Sequence, residues 1–219
     1  MQSRFTERIV ADLADPGSDE PGRAAEAAPR DGTLDRSGTS EQALIVAARA
    51  GHEAAFEKLA RLHSPRVRRT LARITGSADV AEDALQEALV RAWRSIGRFE
   101  GRSSFFTWLT RIAINECYRA IKRSEPVTLP LDDAVGERIP SWGSQPDEIF
   151  ASREFLQAVA AALDRLPEDY RAAVVLRDVE GLSTTEAATV LEIEEAALKS
   201  RLHRGRMVLR RELDTYFSP

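Results

Sequence analysis

The most concentrated chemical signal in the sequence is a cationic segment near the C-terminal end. Residues 196–211 contain six lysine and arginine side chains and no acid. They are Lys199, Arg201, Arg204, Arg206, Arg210 and Arg211. Like charges in one segment repel each other unless a polyanion neutralises them, so the segment predicts contact with nucleic-acid phosphates and base edges. A basic helix face that contacts only solvent is the alternative.

The residues around this segment predict a helix-turn-helix. Ser183 followed three residues later by Glu186 is a capping box that begins a helix over 184–191, and a short turn leads to a second helix over 195–213. The second helix has a buried stripe of leucines at helical spacing, which are Leu198, Leu202 and Leu209. In such a motif the second helix enters the major groove of DNA, which favours the nucleic-acid interpretation.

A second polar and basic set lies in the middle of the chain. On a predicted helix over 105–123 it follows one face at i, i+4, i+8 and i+11, as Arg111, Asn115, Arg119 and Lys122. The preceding loop adds groups able to hold an unstacked base, which are Phe99, Arg102, Ser103 and Ser104. The helix also carries Phe106 and Trp108, and such aromatic residues are either core residues or base-stacking platforms. The pattern predicts that a strand of DNA lies along this helix.

An acidic face is predicted on the helix over 78–96. A stripe of alanine and leucine at helical spacing forms its inner side. Outside that stripe lie Asp79, Glu82, Asp83, Gln86 and Glu87. Such a face suits a basic partner helix, although an ordinary solvated face has the same composition.

No constellation for catalysis or metal binding is visible in the sequence. His52, His63 and His203 are far apart, and Cys117 is the one cysteine, so thiolate-metal and disulfide sites are excluded. There is no glycine-rich phosphate loop. The sequence therefore predicts neither a catalytic residue nor a cofactor. The lone thiol and the lack of an apolar run of about 18 to 20 residues favour a cytoplasmic protein without membrane insertion.

Composition and charge divide the 219 residues into four segments. Residues 1–40 are rich in Gly, Pro, Ala and Asp and predict a disordered extension. Residues 41–125 carry 15 basic and 10 acidic side chains, and their sustained helical periodicity begins at Ser40 as an N-cap. Residues 126–150 have one basic and five acidic side chains with several prolines, which predicts a flexible acidic linker. A second helical domain follows over 151–214, so the fold class is all-α with two small domains.

In these positions the chain resembles the extracytoplasmic-function branch of the bacterial sigma factors, over about residues 41–214. Residues 79–87 with Arg91-Ala92-Trp93 are similar to the region that docks on core RNA polymerase. Residues 99–109 with 111–115 are similar to the segment that melts and recognises the −10 promoter element. Residues 166–171 and 181–204 are similar to the region that recognises the −35 element.

The resemblance implies a function and a role for each surface. The protein would bring core polymerase to specific promoters and leave all nucleotide chemistry to the core. The acidic face would bind the clamp helices of the largest subunit, and the C-terminal domain would contact the flap of the second-largest subunit. The loop before the helix over 105–123 and the polar and basic face of that helix, together with Trp108, would bind −10 DNA. The −35 contacts would be Ser183, Thr184, Lys199, Ser200, Arg201, His203 and Arg204. The linker would lie in the RNA exit path, and an anti-sigma factor would cover the protein.

Two departures and two rival interpretations accompany the resemblance. One departure is the 40-residue N-terminal extension, which is outside the compact family pattern. The turn before the last helix usually has a glycine in this family, whereas here residues 192–195 are Glu-Ile-Glu-Glu. These acids suit the positive end of the helix dipole but repel phosphates at the same place. The first rival is a stand-alone helix-turn-helix regulator, which explains the last 70 residues but not the acidic helix at 79–96. The second is an interaction protein that has both domains but works mainly by titrating a regulator.

Overall fold

The computed structural model describes residues 40–124 and 153–213, and every regular element within these ranges is helical. The N-terminal bundle consists of α1 (Glu41–Arg49), α2 (Glu53–Thr75), α3 (Ala78–Ser95) and α4 (Phe105–Ser124), with a 3-10 turn at Ile96–Arg98. The C-terminal bundle consists of α5 (Arg153–Asp164), α6 (Glu168–Val174), α7 (Thr184–Leu191) and α8 (Glu195–Glu212), with a π-helical turn at Val175–Val179. The all-α prediction is confirmed.

Local sequence explains where the helices of the N-terminal bundle begin and end. The Ser40 hydroxyl caps α1 by accepting a hydrogen bond from the Ala43 amide at 3.3 Å. The Ser77 hydroxyl caps α3 in the same way, from the Val80 amide at 3.3 Å. Gly76 ends α2 with φ of 70°, a left-handed conformation that glycine adopts without steric cost. The tight link between α2 and α3 makes these two helices neighbours in the bundle.

An aromatic cluster holds α2, α3 and α4 together. Phe105 is fully buried, and its ring centroid lies 6.3 Å from that of Phe56 on α2 and 5.6 Å from that of Trp108. Phe99 enters the same cluster from the loop before α4, with its ring centroid 5.0 Å from Trp108. Aromatic pairs in edge-to-face or tilted contact stabilise a core beyond the area that they bury. The cluster therefore anchors both α4 and the loop that precedes it.

The C-terminal bundle contains the predicted helix-turn-helix, formed by α7 and α8. Its capping box is present: the Ser183 hydroxyl accepts from the Glu186 amide at 3.1 Å, and the Glu186 carboxylate accepts from the Ser183 amide at 2.8 Å. Helix α8 packs closely on α6 at Gly205. A Cβ atom at this position would lie 2.7 Å from Cγ2 of Val174 and 3.2 Å from the carbonyl oxygen of Tyr170. The close approach of the two helices requires glycine here.

The helix bounds agree with the predicted ones to within one residue for the helices over 78–96, 105–123, 184–191 and 195–213. The loop predicted before the helix over 105–123 differs from expectation, because it begins with a 3-10 turn at Ile96–Arg98 and buries Phe99. Residues 1–39 and 125–152, which include the predicted linker, lie outside the described part. Within the described ranges, no helix has both the length and the apolar character needed to cross a bilayer.

We expect Gly205→Ala to destabilise the protein, although alanine usually favours a helix. The added methyl group meets buried Val174 and a backbone carbonyl, so the free energy of unfolding falls by about 1–3 kcal/mol. Gly97→Ala is the control, because its Cβ would have only the Arg49 carbonyl oxygen nearby, at 4.0 Å, and its effect stays within about 0.5 kcal/mol. Urea unfolding followed by circular dichroism measures both. Equal stability of the two variants would contradict the close packing of α6 and α8.

Candidate polymerase and nucleic-acid interfaces

The predicted acidic face lies on the outer side of α3. Its inner side is buried through Ala81, Ala84, Leu85, Ala88 and Leu89. The side chains of Asp79, Asp83 and Glu87 are exposed, and those of Glu82 and Gln86 are half-buried. The Gln86 amide donates to the Glu82 carboxylate at 3.3 Å, and Arg68 of α2 lies 4.0 Å from the same carboxylate. The structure therefore brings all five residues together on one surface with excess negative charge, which can bind a basic helix.

The predicted DNA stripe lies on α4, but part of it contacts the C-terminal bundle. The guanidinium of Arg111 and the amide of Asn115 both bind the carboxylate of Glu192, in the turn between α7 and α8. Arg119 is exposed and pairs with the buried carboxylate of Glu116 at 2.6 Å. Lys122 belongs to the same helix, in a stretch whose side chains are outside the described part. Three of the four residues are thus placed on one face.

The loop before α4 presents only some of its predicted DNA contacts to solvent. Arg102 is 87% exposed and pairs with Glu100 at 2.6 Å. Ser104 is exposed, and its hydroxyl caps α4 by accepting from the Thr107 amide at 3.1 Å. Ser103 is half-buried, whereas Phe99 is 4% exposed. The predicted DNA contact of Phe99 is therefore not available in this structure, because the ring is buried in the core against Phe105 and Trp108.

The two ambiguous aromatic residues of α4 lie in different surroundings. Phe106 is buried, and the guanidinium of Arg66 stacks on its ring at 3.9 Å from the centroid. Trp108 is half-buried against Phe99 and Phe105, so one part of its ring stays accessible beside the loop. Of the two, only Trp108 is placed where a base can reach it.

The predicted −35 residues on α8 fall into an outward set and an inward set. Lys199 and Ser200 are exposed, and His203 is half-buried on the same side of the helix. Arg201 instead pairs with Asp169 at 3.2 Å, and Arg204 lies 3.3 Å from the Tyr170 hydroxyl. These two arginines hold α8 against α6. Ser183 and Thr184 lie at the start of α7, where the Ser183 hydroxyl serves as the helix cap.

Arg206, another residue of the cationic segment, binds Asp178 in the π-helical turn. Its guanidinium donates two hydrogen bonds to that carboxylate, one of them at 2.9 Å. The hydrogen bond to Asp178 raises the pKa of Arg206 above its usual range. A two-point contact of this kind orients α8 on the bundle and leaves Arg206 less free to bind DNA.

Two glutamates that sequence analysis did not assign to a site connect the bundles. The carboxylate of Glu180 is buried against α2, where Arg66 donates at 2.8 Å and the Thr70 hydroxyl at 2.7 Å. Glu192 accepts from Arg111 Nε at 3.1 Å and from Asn115 Nδ2 at 3.0 Å. The one sequence signal for Glu192 was an acid at a turn position where glycine is usual. No local signal identifies Glu180, because its partners are 110 and 114 residues away.

The electrostatics of the interface between the bundles follow from burial and these contacts. The hydrogen bond from Asn115, followed by that from Arg111, holds the pKa of Glu192 below its usual value. Burial raises the pKa of Cys117 to about 12 and that of Tyr118 well above its usual range, and Glu168 of α6 adds to both shifts. Burial also raises the pKa of Glu168. The Cys117 thiol is therefore protonated and unreactive at neutral pH. The described residues contain no cluster of three or more His, Cys, Asp or Glu able to hold a metal ion.

Comparison with known proteins assigns both bundles. Residues 59–126 match the family model of Sigma-70 region 2, and residues 156–209 match that of Sigma-70 region 4. The chain is 33% identical over 174 residues to the ECF RNA polymerase sigma-E factor of Escherichia coli K12, covering 76% of this chain and 91% of that relative. It is 35% identical over 155 residues to the ECF RNA polymerase sigma factor SigE of Mycolicibacterium smegmatis, covering 71% of this chain and 60% of that relative.

Two solved structures are similar over most of the chain. One is CnrH in complex with the cytosolic domain of CnrY, with a TM-score of 0.56 and 27% identity, covering 80% of this chain and 97% of that one. The other is the sigma factor RpoE in complex with the anti-sigma factor NepR from Bartonella quintana, with a TM-score of 0.52 and 29% identity, covering 73% of this chain and 96% of that one.

The contact between Glu192 and α4 predicts a specific titration behaviour. Because the pKa of Glu192 is lowered, the contact is present above the usual glutamate pKa and is lost as the pH falls through the lowered value. We expect Asn115→Ala to raise the pKa of Glu192 toward the usual glutamate value, since it removes the leading hydrogen bond. Carbon-detected NMR titration of the glutamate carboxyls measures this, with exposed Glu194 as the internal control. An unchanged Glu192 titration in Asn115→Ala would contradict the hydrogen bond.

Proposed function

The chain belongs to the extracytoplasmic-function sigma factors, which act in transcription initiation, and from this premise we propose how its surfaces divide that work. The acidic face of α3 binds the clamp helices of the largest subunit of core RNA polymerase. Helix α4, with the loop before it, melts and binds the −10 element. The α7–α8 motif binds the −35 element, and the C-terminal bundle contacts the flap of the second-largest subunit.

The observation that carries this proposal is the correspondence between the two region models and the two helical bundles. The region 2 match covers most of the N-terminal bundle, where the acidic face and the polar stripe occupy different helices. The region 4 match covers the helix-turn-helix, with Lys199 and Ser200 exposed on α8. The N-terminal match also argues against a stand-alone regulator, because such a regulator does not account for a Sigma-70 region 2 domain.

The domain boundaries of the proposal follow the sequence analysis. The polymerase-binding and −10 domain spans residues 41–125, and the −35 domain spans 151–214. These limits are supported by the described helices, which begin at Glu41 and end at Glu212. The family consists of transcription initiation factors, and the proposal assigns no catalytic residue and no cofactor to this chain. The proposal leaves all nucleotide chemistry to core polymerase and assigns the protein to the cytoplasm, where it would meet that enzyme.

The −35 contacts of the proposal centre on the outward set of α8. Lys199, Ser200 and His203 lie on the outward side of α8, where the exposed ion pair of Lys199 with Glu195 at 3.9 Å is one that a phosphate can replace, and they bind base edges and phosphates in the major groove. Arg201 and Arg204 contribute mainly by holding α8 on α6, through Asp169 and Tyr170. The proposal therefore separates residues that contact DNA from residues that position the helix.

An anti-sigma factor is the proposed regulator. Both similar structures are complexes, and one of them is a sigma factor bound to an anti-sigma factor. A protein that covers the α3 face or the α8 face of this chain would block polymerase or promoter contact. The proposal is for a partner of this class, and the chemistry of α3 favours one that presents basic side chains.

The polymerase contact is tested by run-off transcription with purified core polymerase on fragmented genomic DNA from the source organism. We expect discrete new transcripts with this protein, and their loss when Asp83, Gln86 and Glu87 are changed to alanine. Glu87→Ala alone reduces the transcript yield more than Glu53→Ala does, since both glutamates are exposed but only Glu87 lies on the α3 face. Equal yields from these two single variants would reject the assigned surface.

The distinction between DNA-binding residues and helix-positioning residues on α8 is tested by comparing Lys199→Ala with Arg206→Ala. We expect Lys199→Ala to weaken duplex promoter binding by the polymerase complex and to reduce its salt dependence by about one counterion, with unchanged stability. Arg206→Ala lowers the free energy of unfolding instead, because it leaves Asp178 without its two-point partner. Salt-dependent binding by fluorescence anisotropy and urea unfolding distinguish the two. If Lys199→Ala lowered stability and Arg206→Ala weakened only DNA binding, the assignment of Lys199 to the outward set and of Arg206 to helix positioning would be contradicted.

A further inference from the structure

One buried carboxylate lies between α3 and α4 of the N-terminal bundle. Glu116 of α4 is 3% exposed, and a glutamate is rarely buried to this extent unless cations neutralise it. Its Oε1 atom accepts a hydrogen bond from Arg119 Nη1 at 2.6 Å, and Arg91 Nε of α3 lies 2.7 Å from the same atom. One buried oxygen thus holds two guanidinium groups that come from two different helices.

Both arginines keep large parts of their side chains accessible. The side chain of Arg91 is 50% exposed and that of Arg119 is 54% exposed. An arginine has five N–H donors, so a guanidinium that gives one of them to a fixed carboxylate can still donate to a second acceptor. The buried contact therefore limits where each guanidinium lies without covering it.

The positions of these arginines along their helices connect two of the proposed binding surfaces. Arg119 belongs to the predicted DNA stripe of α4 and follows Asn115 by one helical turn. Arg91 follows Glu87 by one helical turn, at the point where the acidic face of α3 ends. Glu116 therefore joins the end of the acidic face to the stripe.

This contact orders Arg119 before DNA arrives. A long arginine side chain on a helix surface samples many rotamers, and a phosphate that binds it must order it at an entropic cost. Here the carboxylate of Glu116 is itself fixed, because it is buried where α3 packs on α4 and is held from α3 by Arg91. The two cations and one anion leave one net positive charge, so the group still attracts DNA.

We propose that Glu116 is a positioning residue for promoter DNA, which holds Arg119 in the place where it binds the backbone of the −10 strand. Arg91 fixes the Glu116 carboxylate from α3. The inference rests on the proposed assignment of α4 to −10 DNA. Glu116 acts through Arg119 and does not touch DNA itself, because its carboxylate is buried and would repel a phosphate.

Two variants that change the charge equally separate positioning from simple electrostatics. Glu116→Gln keeps the shape and one acceptor oxygen but removes the charge beside Arg119, and Glu53→Gln removes the same charge from an exposed position at the start of α2. Both variants make the protein more positive, which by itself favours DNA binding.

The readout is promoter opening by core polymerase with each variant, measured by the permanganate reactivity of unpaired thymines on a promoter that the run-off transcripts identify. We expect Glu116→Gln to reduce opening by about three- to tenfold, a fraction of what a well-placed arginine contact contributes. Glu53→Gln leaves opening at the parent level or above it. Equal opening with the two variants would overturn the positioning role.

A double-mutant cycle shows whether Glu116 acts through Arg119. We expect Arg119→Ala to reduce opening on its own, and Glu116→Gln to add little further loss once residue 119 is alanine. A folding defect caused by Glu116→Gln would instead reduce opening by the same factor in both backgrounds, and that result would overturn the proposal. The cycle therefore also decides the case in which Glu116→Gln is less stable than the parent.

Failure of the proposed function and failure of this inference give different results. If the parent protein opens promoters and Arg119→Ala opens them equally well, the stripe of α4 does not bind −10 DNA in the proposed way, and both proposals are overturned at this residue. If Arg119→Ala reduces opening and Glu116→Gln does not, the assignment of α4 is supported and the positioning role alone is overturned.

Discussion

The orientation of the two bundles depends on the burial of the Glu180 carboxylate against α2. Removing a carboxylate from water costs several kcal/mol, and only partners in the correct geometry offset this cost, as Arg66 and Thr70 do here. Such a contact specifies one arrangement more than it stabilises it, because Glu180 regains its hydration when the bundles separate. The interface is therefore selective for one geometry while remaining reversible, and every surface of the C-terminal bundle is positioned relative to α4 by this contact.

The arginines of the protein differ in function according to what their neighbours supply. Arg201 and Arg206 have carboxylate partners within their own bundle and hold α8 in place, whereas Arg111 finds its partner only across the interface. A cation that is neutralised within its own domain loses little when that domain moves. A cation whose carboxylate partner belongs to another domain loses that partner when the domains separate, so the availability of Arg111, like that of Arg66 beside Glu180, depends on the conformation.

Much of the fold was predictable because its signals are local. The Ser40 cap and the Ser183–Glu186 capping box depend on residues three positions apart, and both are present. Helical periodicity identified which face of α3 and α8 is buried. It did not identify the partners of Arg201 or Arg206, or the burial of the Phe99 ring in the core. Periodicity shows which side of a helix is buried, but not which residue a given side chain contacts. The contacts of Glu180 and Glu192 join residues 77 to 114 positions apart, which no local pattern encodes.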